Sequence, residues 1–238
     1  MKTTTALATV LLATGMVSQA QAATATFLTS APYLQFADSP FAAIASGNPN
    51  FFVEDFEDGA LNTPGVTASF GTVVGVGVTV DSVDADDGLI DGNGNGGHSW
   101  YSNGATSISF SFSASALSQL PTHIGLVWTD IGNNGVGGSF GVGSFAVRAF
   151  DENGSSLGGV LFDDLGDSSV NGGTAEDRFF GAIFDAGISR ITITSLDGSA
   201  DWEIDHLQYG VAPVPLPGAA WMLVPALAGL VGLRRKRV

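Results

Sequence analysis

Ile108-Ser109-Phe110-Ser111-Phe112 alternates apolar and hydroxyl side chains, and Ile191-Thr192-Ile193-Thr194 repeats the same period of two. That period sends successive side chains to opposite faces, so each segment reads as a strand with one buried side. Comparable short runs occupy residues 50–56, 66–80, 123–130, 144–150, 157–162, 178–184 and 201–209. Gly, Asn and Asp separate them. Asp151-Glu152-Asn153-Gly154 and Leu196-Asp197-Gly198 predict hairpin turns, because Asn and Gly tolerate the positive φ such turns need. Only residues 114–120 suggest a helical turn. Roughly nine or ten strands without alternating helices predict an all-β fold, a single β-sandwich of jelly-roll type over residues 50–210. Residues 23–49 show no clear period and read as a lead-in, and residues 211–217 as a linker.

The two ends follow a different pattern. Lys2, an apolar run over residues 6–17 and Ala20-Gln21-Ala22 have the order of a signal peptide, so residues 1–22 are set aside from the fold. At the other end, residues 218–233 are apolar or small and Arg234-Arg235-Lys236-Arg237 follows. Sixteen residues in a helix reach roughly 24 Å, slightly short of a hydrocarbon core of about 30 Å, and the stretch from Val211 can lengthen the span. The run predicts a membrane helix with the basic tail 234–238 held on the cytoplasmic side. All 23 acidic residues lie between these ends, whereas five of the eight basic ones belong to the terminal segments. The part between them thus opposes three arginines to 23 carboxylates, a net of about −20. Such a charge repels phosphate backbones, so nucleic acid is not an expected partner. There is no cysteine, and stability must come from a core rather than disulfides.

Val214-Pro215-Leu216-Pro217, the apolar run and the Arg-rich end together resemble the sorting signal of PEP-CTERM proteins. Leu216 stands where the name-giving Pro-Glu-Pro has its Glu, so the three-part order carries the likeness rather than the prolines. The resemblance implies an exosortase-type processing enzyme as partner, transient anchoring in the inner membrane, and delivery to the cell surface or the extracellular polysaccharide matrix. An ordinary C-terminal membrane helix is the other reading of the same run. A Leu-Pro-x-Thr-Gly signal is excluded because Gly218 follows Pro217 directly, and a glycolipid-anchor tail does not end in four cations.

Two segments carry metal-ligating chemistry. Asp91-Gly92-Asn93-Gly94-Asn95-Gly96 matches the first half of a calcium loop, in which Asp91, Asn93 and Asn95 would supply alternate oxygens; its twelfth position is Ser102 instead of Glu. The same residues also read as a plain acidic turn. The second segment is split between the ends of the domain, Asp55-Phe56-Glu57-Asp58-Gly59 and Trp202-Glu203-Ile204-Asp205-His206-Leu207. Strict alternation along the latter puts Trp202 and Ile204 on one face and Leu207 and Tyr209 on the other, which predicts a bulge near Asp205-His206. This opening and closing pair resembles jelly-roll carbohydrate-binding modules. The resemblance implies a structural calcium shared by Glu57 and Asp205, with Asp58 as a third ligand.

Enzymatic patterns do not survive inspection. Gly137-Gly138-Ser139-Phe140-Gly141 spells a nucleophile elbow, yet no helix pattern follows it. Glu203-Ile204-Asp205-His206-Leu207-Gln208 resembles a jelly-roll glucanase strand with Gln208 at the second catalytic glutamate, and an amide cannot cycle a proton. His98, His123 and His206 are too scattered to suggest a metal triad. Trp100, Tyr101 and Trp128 are candidates for a sugar-stacking platform, with a hydrophobic core as their other destination. The expectation is a non-enzymatic structural or glycan-binding protein; the alternative is a polysaccharide-active enzyme with an unrecognised carboxylate pair.

Overall fold

The computed structural model describes residues 24–75, 80, 82–85, 97–131, 144–162, 177–196, 198 and 200–213. The signal segment 1–22, the motif Val214–Pro217, the apolar run 218–233 and the basic tail lie outside them. Among the described residues no helix is long and apolar enough to cross a membrane.

Within these residues the chain forms β1 (Thr26–Pro32), β2 (Phe51–Glu54), β3 (Val66–Ala68), β4 (Thr72–Gly75), β5 (His98–Tyr101), β6 (Ser107–Phe112), β7 (His123–Ile131), β8 (Phe145–Phe150), β9 (Ser156–Phe162), β10 (Arg178–Ile183), β11 (Arg190–Ser195) and β12 (Trp202–Gly210). Single-turn helices α1 (Ala42–Ala45) and α2 (Ala114–Leu117) are the only α-helices among them. The fold is all-β, with two antiparallel sheets in a sandwich-like arrangement. The first runs β1-β10-β7-β12-β5-β4, with β2 also on β12; the second runs β3-β6-β11-β8-β9.

Alternation explains the second sheet directly. Ile108, Phe110 and Phe112 are buried while Ser107 and Ser111 are exposed. On the outer face Ser109 and Thr192 stand opposite each other with their hydroxyl oxygens 2.8 Å apart, and Ser107 and Thr194 repeat the pair. Inside, Trp128, Phe145 and Trp202 pack with centroid spacings of 4.2, 5.3 and 5.7 Å. The hairpin at Asp151 forms as expected: its Oδ1 accepts the amides of Asn153 and Ser155, and Gly154 has φ +77°.

Three expectations change. The Leu196–Gly198 turn is no hairpin, because β11 belongs to the second sheet and β12 to the first. The run 66–80 divides into β3 and β4, which enter different sheets; the switch passes Gly71, at φ +102°, where a Cβ would stand 2.2 Å from the Trp100 indole nitrogen. The lead-in belongs to the fold. Its β1 pairs with β10 at the sheet edge, and Tyr33 and Phe41 join Phe51, Val83, Val127 and Phe179 in a second core on the outer face of the first sheet. With both faces covered, all nine residues of β12 are buried.

Candidate functional site: a buried polar seam along the last strand

Trp202, Ile204, Leu207 and Tyr209 all enter the one sandwich core. Regular alternation cannot do this, so β12 inserts a residue. Asp205 faces Val127 and Gln208 faces Gly125, three residues against two, with His206 at φ +42°. Glu203, Asp205, His206 and Gln208 are thereby left to the covered outer face, all at most 5% exposed. Buried polar groups at this depth require partners.

The partners come from segments distant in sequence. Ser39 Oγ donates to Gln208 Oε1 at 2.5 Å, Gln208 Nε2 donates to Tyr33 Oη at 3.0 Å, and Tyr33 Oη lies 2.7 Å from His206 Nδ1. His206 Nε2 continues the chain to Asp84 Oδ2 at 3.1 Å. With Gln208 Nε2 donating to the Tyr33 oxygen, one arrangement of the chain has the Tyr33 hydroxyl donate to Nδ1 of a neutral ring that carries its own proton on Nε2. Asp205 Oδ1 accepts the His206 amide, and its Oδ2 meets the Val83 amide and Ser82 Oγ, each at 3.1 Å. At the end of the strand nearer β5, Ser99 Oγ donates to Glu203 at 2.6 Å.

Ser82 Oγ is also 3.1 Å from Glu57 Oε1. Glu57 and Asp205 are therefore brought together, linked through a hydroxyl that has one proton for two carboxylates. Glu57 further accepts the His98 amide, and its Oε2 lies 3.3 Å from His98 Nδ1. Buried Glu54 positions this loop by accepting the amides of Phe56, Asn62 and Thr63. Gly97, at φ +68°, closes the cradle: a Cβ there would stand 2.6 Å from Ser82 Oγ and 2.8 Å from Glu57 Oε1. Two carboxylates and a hydroxyl suit a hard cation in donor type.

Electrostatics at the seam follow from burial. Desolvation pushes the Asp205 carboxyl up to about 7. Burial alone would lower His206, but its bond to Asp84 and the charges of Asp205 and Asp84 outweigh this and raise it. Desolvation and the Asp205 charge hold Tyr33 well above the ordinary phenol range. Asp205, His206 and Tyr33 are thus each shifted toward their protonated forms.

The other candidate residues are placed elsewhere. Asp58 spends its carboxylate on the Ala60 amide and the Asn62 side chain in its own turn, away from the Ser82 link. Asp91, Asn93 and Asn95 lie outside the described residues. Trp128 is 0% and Trp100 7% exposed, so both are core residues and offer no stacking face; Trp202 is equally buried. Tyr101 is half-buried at the end of β5. Sequence reasoning missed Tyr33, Ser39, Ser82, His206 and Gln208 as a connected group. The broken alternation at Asp205-His206 was the available signal. No protein-family model matches the chain, and no curated protein matches it.

Proposed function

We propose that this chain is an exported, non-enzymatic β-sandwich of jelly-roll type that serves as a structural component of the extracellular polysaccharide matrix. Its tail, Val214–Pro217 with Arg234–Arg237, is the part an exosortase-type enzyme recognises, and residues 218–233 anchor it transiently in the inner membrane. The observation that carries the structural reading is the burial of the chemistry-bearing side chains. Asp205 is 0% and Glu203 5% exposed, each held by hydroxyl or amide donors, and Trp100 and Trp128 lie in the core. A glycosidase acid must reach a glycosidic oxygen; these carboxylates face the protein interior.

The seam joins the opening loop, the residues around Ser82 and the closing strand, and a divalent cation at Glu57 and Asp205 would link the ends of the domain. Calcium is the ion that the likeness to carbohydrate-binding modules implies. It would supply only positive charge and oxygen coordination, relieving two carboxylates that now share one hydroxyl proton.

Electrophoresis of the purified chain through gels containing exopolysaccharide from its own source, with a reducing-sugar assay in parallel, tests the reading. Neither sugar release nor strong retardation is expected. Sugar release abolished by Glu203→Gln would replace the structural reading with the enzymatic one, and strong retardation would make the protein a glycan binder through surfaces other than Trp100 and Trp128.

A further inference from the structure

Glu57, Asp84 and Asp205 converge on the seam without a lysine or arginine partner among the described residues. Their hydrogen-bond and ion-pair partners among the described residues are hydroxyls, backbone amides and the imidazoles of His98 and His206. One ligand atom from each of Asp84, Asp205 and His206 lies within 4.8 Å of the others. Donors about 2.1 Å from a common ion stand at most roughly 4.2 Å apart, so a small inward movement closes the set. Two carboxylates and an imidazole neutralise a divalent charge and add a nitrogen donor. Calcium coordinates oxygen, whereas zinc and its borderline neighbours take imidazole readily.

The partner of the other ring nitrogen strengthens the case. A metal-bound histidine commonly has its second nitrogen held by an outer group that fixes the ring and its tautomer. Here Tyr33 Oη lies on Nδ1 at 2.7 Å, leaving Nε2 toward Asp84. The chain Ser39–Gln208–Tyr33–His206 can also run in reverse with the same heavy atoms. Nδ1–H then donates to Tyr33 Oη, the Tyr33 hydroxyl to the rotated Gln208 carbonyl, and the Gln208 amide to Ser39 Oγ. The Ser39 proton loses its present acceptor. A neutral ring only changes tautomer, losing the Nε2 proton and carrying one on Nδ1, so Nε2 gains a free lone pair.

We infer that Asp84, Asp205 and His206 form a binding site for a divalent ion of the zinc class, with Tyr33 and Gln208 as its outer shell. This rests on the reading that the seam holds a cation; it names a different class of ion from the calcium that the resemblance implies, and it shares only Asp205 with that ligand set, Asp84 and His206 replacing Glu57 and Asp58.

The test uses the purified full chain, stripped with chelator and titrated separately with Zn²⁺ and Ca²⁺, with bound metal counted after equilibrium dialysis. One equivalent of zinc is expected, bound at least about tenfold more tightly than calcium. His206→Asn retains a residue that tolerates positive φ and should weaken zinc by about 10–100-fold without changing calcium. Asp84→Asn, at a partly exposed side chain, should weaken zinc similarly and guards against misfolding of the first variant. Tyr33→Phe should cost about tenfold for zinc. Calcium binding more tightly than zinc, or zinc indifferent to both His206→Asn and Asp84→Asn, would overturn the inference. In the first of those outcomes the calcium reading of the seam stands. Binding of neither ion would overturn both.

Discussion

Tyr33 Oη serves two buried groups at once, His206 Nδ1 and Gln208 Nε2, while its ring stacks on Phe179 at 6.1 Å. Tyr33→Phe keeps the ring and strands both polar groups, so urea unfolding should register a loss of about 1–3 kcal/mol. A loss below about 0.5 kcal/mol would mean that the network contributes little. His123 offers an independent pH test away from the seam. Burial holds its pKa below the ordinary imidazole value, with Asp185 opposing, and its Nδ1 lies 2.8 Å from Thr122 Oγ1. The unfolded chain therefore takes up this proton first as pH falls, and stability drops through about pH 6.5 and below. His123→Gln should shrink the difference in urea midpoint between pH 7.5 and 5; an unchanged difference would remove His123 as a source of acid sensitivity.

Strands with one buried face were legible. Ile108–Phe112 and Ile191–Thr194 alternate because only their inner face meets the core. β12 was legible through its irregularity: four large apolar residues that must share one core force an extra residue at Asp205-His206. β5 was hidden because only four residues long, with Ser99 and Trp100 both buried, it follows an acidic Gly-Asn run. β1 was hidden because an edge strand with no fully buried residue carries no period. Of the seam, Glu57 and Asp205 could be reached from the ends of the domain, but nothing local marks Ser39 or Tyr33, whose partners lie 169 and 173 positions away. The covering segment is structural. Phe41→Ala, which empties the second core next to Phe51 and Phe179, should cost about 3–5 kcal/mol in urea unfolding. A cost under about 1 kcal/mol would restore the lead-in to a passive role.

The whole chain combines a strongly acidic sandwich with a basic, apolar tail, and each end has its own test. If the tail is a sorting signal, neutralising Arg234, Arg235, Lys236 and Arg237 removes the charges that would orient it, so fractionation should show loss of retention and of processing. Processing like that of the parent would contradict the sorting reading. The acidic part concentrates its burial cost at the seam, where carboxylates from the opening loop and the last strand meet without Lys or Arg among the described residues. Melting the purified chain with and without chelator is the most direct measurement of whether a cation unites them. An ion at about 100 times its dissociation constant, bound only by the folded state, adds about 2.7 kcal/mol. Chelation should therefore lower Tm by about 5–10 °C, and re-added divalent ion should restore it. A Tm unmoved by chelator, by calcium and by zinc would contradict the cation-linked seam and leave its hydrogen bonds alone to join the two ends.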